Sequence, residues 1–135
     1  MRVFLDSNVL IAALATRGIC ADLLRLVLVE HQLLASKAVF RELRGILIDR
    51  LGLPRARADQ IIPFLREQAE VRDPPSSADN PDHGWILAAA LAGEADVLVT
   101  GDLALLAVDD RVSIRITSPR GFWELIKTAR LAKSL

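Results

Sequence analysis

The 135-residue sequence has one cysteine, no tyrosine, and aromatic residues at only 4%. A lone Cys20 excludes an intramolecular disulfide framework and a cysteine-based zinc site. So few aromatics mean that the core must be built from Leu, Val, Ile and Ala. Net charge is also lacking: seventeen basic and seventeen acidic residues cancel, so any nucleic-acid site has to be a local patch. No apolar run approaches the length of a membrane span. The opening Met1-Arg2-Val3-Phe4 runs directly into a strand-like segment, without a signal peptide's longer apolar stretch and cleavage site. The expectation is a cytoplasmic protein with no membrane association. Hydrophobic residues, by contrast, are abundant at 52%, which excludes a disordered chain. The length suits a single domain, residues 1–135, with one good core.

Apolar runs of strand length alternate with segments of helical period. Arg2 to Leu5 reads as a buried strand, followed by a short helix from Val9 to Ala15. Leu23, Leu26 and Val27 recur at helical spacing within Ile19 to Glu30, where Cys20 reads as a small buried residue. Gln32 to Ala35 is a second strand. Ser36 stands as an N-cap before a helix with the stripe Phe40, Leu43, Leu47 and Leu51, and Gly52 ends it. Pro54 opens the next helix, with Ala58, Ile61, Ile62, Leu65 and Ala69 inward. Pro63 should kink that helix or shift its start. Val71 closes a short third strand, and Asp73 to Pro81 is the clearest loop. A helix from about Asp82 to Ala92 turns Ile86, Leu87, Ala90 and Leu91 inward and stops at Gly93. Asp96–Thr100 and Ser113–Thr117 are the last strands. Ser118-Pro119 opens a final helix through Phe122, Leu125, Ile126 and Ala129. The alternation predicts an α/β fold, a three-layer α/β/α sandwich on a parallel sheet of about five strands.

Two apolar runs stop at a carboxylate: Phe4-Leu-Asp6-Ser-Asn8, and Ala95-Asp-Val-Leu-Val-Thr-Gly-Asp102. In a parallel α/β sheet the ligand crevice lies outside the carboxyl ends of the strands. Acids gathered there repel unless a cation neutralises them. Glu42, one position before the inward Leu43, can face that crevice, and Asp82 opens the fifth helix, where the helix dipole favours an acid. Asp6, Glu42, Asp82 and Asp102 are therefore the candidate catalytic group, with the amide of Asn8 beside them. Hard oxygen ligands of this kind suit Mg²⁺ or Mn²⁺. Each acid also has a plain structural reading as a turn, cap or solvated helix residue; their order and their strand-end placement favour the functional one.

These motifs resemble the PIN-domain family, in particular the VapC-like bacterial proteins that form the toxin half of toxin–antitoxin systems. The resemblance rests on Val-Phe-Leu-Asp6-Ser-Asn8-Val-Leu, on Ser36 to Glu42, on the block from Trp85 through Ala-Leu-Ala-Gly to Thr-Gly-Asp102, and on Ile-Arg-Ile-Thr-Ser-Pro-Arg-Gly-Phe122. It implies a metal-dependent ribonuclease acting on single-stranded or structured RNA, paired with an antitoxin whose segment blocks the cleft. Asp6, Asp82 and Asp102 would hold the metal, with Glu42 acting through water and Asn8, Thr100 and His83 in support. Two positions depart from the family's pattern. Its third acid falls at His83, with Asp82 one residue earlier, and Ala104 stands where a further Asp is common.

Basic residues supply a surface for RNA despite the neutral total. Arg41, Arg44, Arg50, Arg55 and Arg57 border the helix carrying Glu42, and six basic residues follow from Arg111 onward. Arg17, Arg41 and Arg120 are the candidate phosphate contacts. The apolar helices Ile19–Val29 and Ile61–Leu65 fit a homodimer. Two other readings compete with the nuclease. A degenerate PIN domain acting as a non-catalytic binding partner is favoured by positions 80, 83, 84 and 104. A phosphoryl-transfer receiver domain also places acids at strand ends, but it would want a further acid two residues after Asp6 and a lysine closing the fifth strand.

Overall fold

The computed structural model describes residues 1–74 and 84–134. Among them, in chain order, stand β1 (Arg2–Leu5), α1 (Ser7–Ala15), α2 (Ile19–Glu30), β2 (Gln32–Ala35), α3 (Lys37–Asp49), α4 (Arg55–Gln68) and β3 (Ala69–Val71). After them come α5 (Gly84–Ala92), β4 (Val97–Val99), α6 (Leu103–Leu106), a 3₁₀ turn (Asp109–Arg111), β5 (Arg115–Thr117) and α7 (Pro119–Ser134). The strands form one sheet in the order β3-β2-β1-β4-β5, with every pairing parallel. This is the expected three-layer α/β/α architecture.

The sheet centre is apolar on both faces, as helix-covered parallel strands require. Phe4 pairs with Leu34 on one side and Leu98 on the other, and all three are buried. Parallel crossovers through α1–α2 and then α3–α4 carry the chain stepwise from β1 to β2 to β3. The return from β3 to β4 reverses direction, which makes the β1/β4 boundary the topological switch point of the sheet. The last helix, α7, packs back against α2. Its approach to β5 depends on Gly121, because a Cβ there would lie 2.1 Å from Thr117 Oγ1.

Several helix faces differ from the periodic reading. The helix α1 starts at Ser7, earlier than expected, and α3 ends at Asp49, leaving Leu51 exposed. The N–H groups of Arg50 and Leu51 both donate to the Ile46 carbonyl, and Gly52 adopts φ +66°. Ala69 belongs to β3 rather than to α4, and α4 runs through the exposed Pro63 as one helix. In α5 it is Ala89 that is buried and Leu91 that is exposed. The positive φ after α5 falls on Glu94, not on Gly93. The N–H of Ala95 donates to the Ala90 carbonyl and that of Glu94 to the Leu91 carbonyl, the bonding pattern of a left-handed helix stop. Ala129 is exposed and Cys20 only half-buried, with burial raising its thiol pKa. No helix among the described residues is long and apolar enough to cross a membrane.

Candidate active site

At the switch point, the end of β1 is tied to β4 by the Asp6 N–H, which donates to the Val99 carbonyl at 3.0 Å. Asp6 then occupies the N-cap position of α1, and its carbonyl accepts from the N–H groups of Val9 and Leu10. An Asp at this position usually caps with its side chain. Here the carboxylate makes no such bond and turns to its neighbours across the sheet edge. Thr100 Oγ1 donates to Asp6 Oδ2 at 2.7 Å while accepting from the Asp102 N–H at 3.0 Å. One buried hydroxyl therefore fixes the Asp6 carboxylate and the backbone of Asp102 together.

On the other side, Ser7 Oγ lies 3.2 Å from Asp6 Oδ1 and 3.0 Å from Glu42 Oε1. A hydroxyl has one proton, so these two carboxylates share a single donor. Glu42 is delivered there by α3. Ser36 caps that helix by accepting from the Val39 N–H at 3.2 Å, and Val39, Phe40, Leu43 and Leu47 bury its inner face. Asp102 begins α6, and its Oδ1 accepts from the Ala104 N–H at 2.8 Å, with a longer contact to Leu105 N–H. The result is a hydrogen-bonded line from the Glu42 side chain through those of Ser7, Asp6 and Thr100 to the backbone N–H of Asp102.

Asp6 is only 1% exposed. Among the described residues, no cationic side chain lies within ion-pairing distance of Asp6 or Glu42. A buried carboxylate held by neutral hydroxyls alone is an unfavourable arrangement that a bound cation would relieve. The chemistry of the donors, all carboxylate or hydroxyl oxygen, fits a hard divalent ion. No group of three His, Cys, Asp or Glu residues arranged to hold a metal occurs among the described residues. Away from the switch point, hydrogen bonds from Arg2 and then Arg72 hold the Glu70 carboxyl below the usual carboxylate range.

Of the residues singled out in the sequence, Asp6, Glu42, Thr100 and Asp102 come together. Asp82 and His83 lie outside the described residues. Asn8 is exposed, and its amide makes no hydrogen bond among the described residues; the hydroxyl against Asp6 and Glu42 on this side is that of Ser7. Ser7 was missed; the signal available was a hydroxyl directly after the strand-end acid. Arg41 is exposed beside Glu42, and Arg120 is exposed in the first turn of α7. Arg17 is exposed in the link between α1 and α2, lining a groove with Ala13, Ala21, Asp22, Leu24 and Arg25. Trp85 and Trp123 are half-buried against the core.

Residues 2–104 match the family model described as PIN domain. Among solved structures, the chain is similar to VapBC2 from Rickettsia felis, bound to a DNA fragment from its promoter. That match has 16% identity and a TM-score of 0.61, and covers 87% of this chain and 98% of the other. It is also similar to VapBC-1 from nontypeable Haemophilus influenzae, with 19% identity and a TM-score of 0.63 over 89% and 99% of the two chains. No curated protein matches the chain.

Proposed function

Because the chain belongs to the PIN domain family, we propose that it is a metal-dependent endoribonuclease, the toxin of a toxin–antitoxin pair, acting in the cytoplasm. The observation that carries the reading is Asp6: a buried acid at the switch point, held by hydroxyls, without a cationic partner among the described residues. Asp6 and Asp102 would hold Mg²⁺ or Mn²⁺, with Asp82 as the third ligand and His83 beside it. Such an ion lowers the pKa of a bound water and neutralises charge on a phosphodiester. Thr100 and Ser7 keep the Asp6 oxygens in place, and Glu42 is set to accept a proton from a water at the mouth of the site. The RNA backbone would be met by Arg17, Arg41 and Arg120.

An antitoxin partner is supported by the two structural neighbours, both VapBC assemblies. Self-association would use α2 and α4, where Val29 is 82% and Phe64 54% exposed. A second reading, a non-catalytic PIN domain that only binds its partner, is favoured by His83 and Ala104 standing where the family's pattern has acids. The test is cleavage of RNA with Mn²⁺ by the wild type, Asp6→Asn and Asp102→Asn, alongside calorimetric titration of the metal. Loss of cleavage in both variants supports the nuclease. Cleavage that persists in both overturns the assignment to this cleft, and a wild type that binds no Mn²⁺ supports the non-catalytic reading.

A further inference from the structure

The elements that border the proposed site meet a second time at the opposite, amino-terminal edge of the sheet, and they meet on Arg2. Arg2 opens β1, four residues before Asp6. Its N–H donates to Asp96 Oδ2 at 2.8 Å, and its carbonyl accepts from the Asp96 N–H at 2.8 Å. Asp96 stands directly before β4, four residues ahead of Thr100. Because β1 and β4 pair in parallel with Leu5 opposite Val99, the register that sets Arg2 beside Asp96 also sets Asp6 beside Thr100. Strands so distant in sequence have no tight turn to fix that register.

The guanidinium reaches a third element. Nε and Nη2 donate to the Gly93 carbonyl, just beyond α5, at 3.2 and 2.7 Å. Nη1 donates to Glu70 Oε2 of β3 at 2.7 Å, and Arg72 holds the other Glu70 oxygen at 2.8 Å. The helix α5 returns the chain from the carboxyl end of β3 to the amino end of β4. Its last turn therefore stands at Arg2 and its first at the edge that holds Asp6. It carries no charged side chain, so apolar packing, which has no direction, holds it along its length. Arg2 fixes its end, where the helix dipole favours a cation.

We propose that Arg2 is a positioning residue for the metal site, holding β1, β4 and α5 in alignment from the far edge of the sheet. The distance is about 13 Å, four strand residues at about 3.3 Å each. This rests on the nuclease reading and adds to it a residue that touches neither metal nor substrate.

The test compares Arg2→Ala, Arg2→Lys and Ile126→Val with wild type. Ile126→Val, a truncation of a buried residue of α7, lowers stability without touching the Arg2 bonds. Mn²⁺ affinity is read by calorimetry well below each unfolding midpoint, and exchange of the Asp6 and Asp102 amides by NMR in EDTA. Arg2→Ala should bind Mn²⁺ about tenfold more weakly, the low end of the cost of removing groups that orient metal ligands. The two amides, bonded to the Val99 carbonyl and to Thr100 Oγ1, should exchange faster. Arg2→Lys keeps the charge but not the fork and should recover part of both losses, while Ile126→Val should show neither. Wild-type affinity in Arg2→Ala overturns the proposal however far its midpoint falls, and so does an equal loss of affinity in Ile126→Val. If Arg2→Ala does not fold, Arg2→Lys decides, and wild-type affinity in it overturns the proposal. A wild type that binds no Mn²⁺ refutes the metal reading alone. Amide exchange then decides: faster exchange in the Arg2 variants supports the positioning role, and unchanged exchange overturns it.

Discussion

Changing Asp6 to Asn separates the carboxylate's charge from its shape. Its oxygens accept from Thr100 Oγ1 at 2.7 Å and from Ser7 Oγ at 3.2 Å. An Asn side chain can keep its oxygen on Thr100 and turn its NH₂ toward Ser7 Oγ. Ser7 then accepts that bond and gives its own proton wholly to Glu42 Oε1, 3.0 Å away. Every polar atom in the line keeps a partner. What is lost is the charge-assisted character of a hydrogen bond, worth about 1 kcal/mol. What is relieved is a buried charge with no cation beside it among the described residues, whose desolvation costs as much or more. Without metal, Asp6→Asn should therefore be as stable as wild type or gain up to about 1 kcal/mol, roughly 4 °C in Tm for a chain of this length. With Mn²⁺ at a hundredfold excess over its Kd, wild type should gain about 2.7 kcal/mol, roughly 10 °C, and the variant nothing. Differential scanning fluorimetry in EDTA and across a Mn²⁺ titration reads both. Two results would refute the reasoning: a variant destabilised in EDTA by more than about 2 kcal/mol, the cost of stranding a buried polar partner, or an undiminished response to Mn²⁺.

Gly121→Ala should destabilise by about 1–3 kcal/mol, an overpacking cost, because its Cβ would fall 2.1 Å from Thr117 Oγ1; denaturant melts should show Thr117→Ala restoring most of the loss. Glu70 is held below the usual carboxylate range by Arg2 and then Arg72. Its stabilisation is thus complete above its unfolded pKa and disappears as pH falls through the lower folded value, so Glu70→Gln should flatten the acid limb of urea midpoint against pH, and an unchanged limb would show that the pair contributes nothing to folding. If His83 stands in the place of an acid, His83→Asp should strengthen Mg²⁺ binding measured by calorimetry, because a hard ion prefers oxygen to imidazole. Unchanged affinity there, with binding lost in Asp82→Asn, would make Asp82 the ligand and His83 a bystander.

The parts of the fold visible in the sequence are those where one constraint dominates. Strands buried on both faces read as unbroken apolar runs, so β1, β2 and β4 were legible, as were the acids that end two of them. Ser36 and Ser118 were legible as caps because each is followed by a helical stripe, and each accepts from an N–H three residues on. The misread faces have specific causes. The helix α5, Gly-Trp-Ile-Leu-Ala-Ala-Ala-Leu-Ala, is apolar all round, so periodicity cannot choose between Ala89 and Leu91. In α3 the stripe continues in sequence to Leu51 after the helix itself has ended at Asp49. The four-residue α6 is too short to carry a period.

The same brevity hid how Asp102 is held. Read as a strand-end acid alone, Asp102 has no visible reason to be rigid. In the fold, Thr100 Oγ1 grips its N–H and the first N–H groups of α6 grip its carboxylate. One carboxylate oxygen is thereby committed to structure, which limits how Asp102 can turn toward a metal. Asp6 differs in kind: backbone bonds to Val99, Val9 and Leu10 fix its main chain, and both side-chain oxygens meet only hydroxyls that can reorient. Asp6 is therefore the acid whose charge can be answered by an incoming cation without dismantling a helix cap. Asp102→Asn should accordingly retain the cap through its side-chain oxygen and keep α6 in place, while its effect on metal affinity should be smaller than that of Asp6→Asn. Calorimetry on the two variants decides the order, and a larger loss of affinity at Asp102 would show that the capping oxygen is not so committed after all.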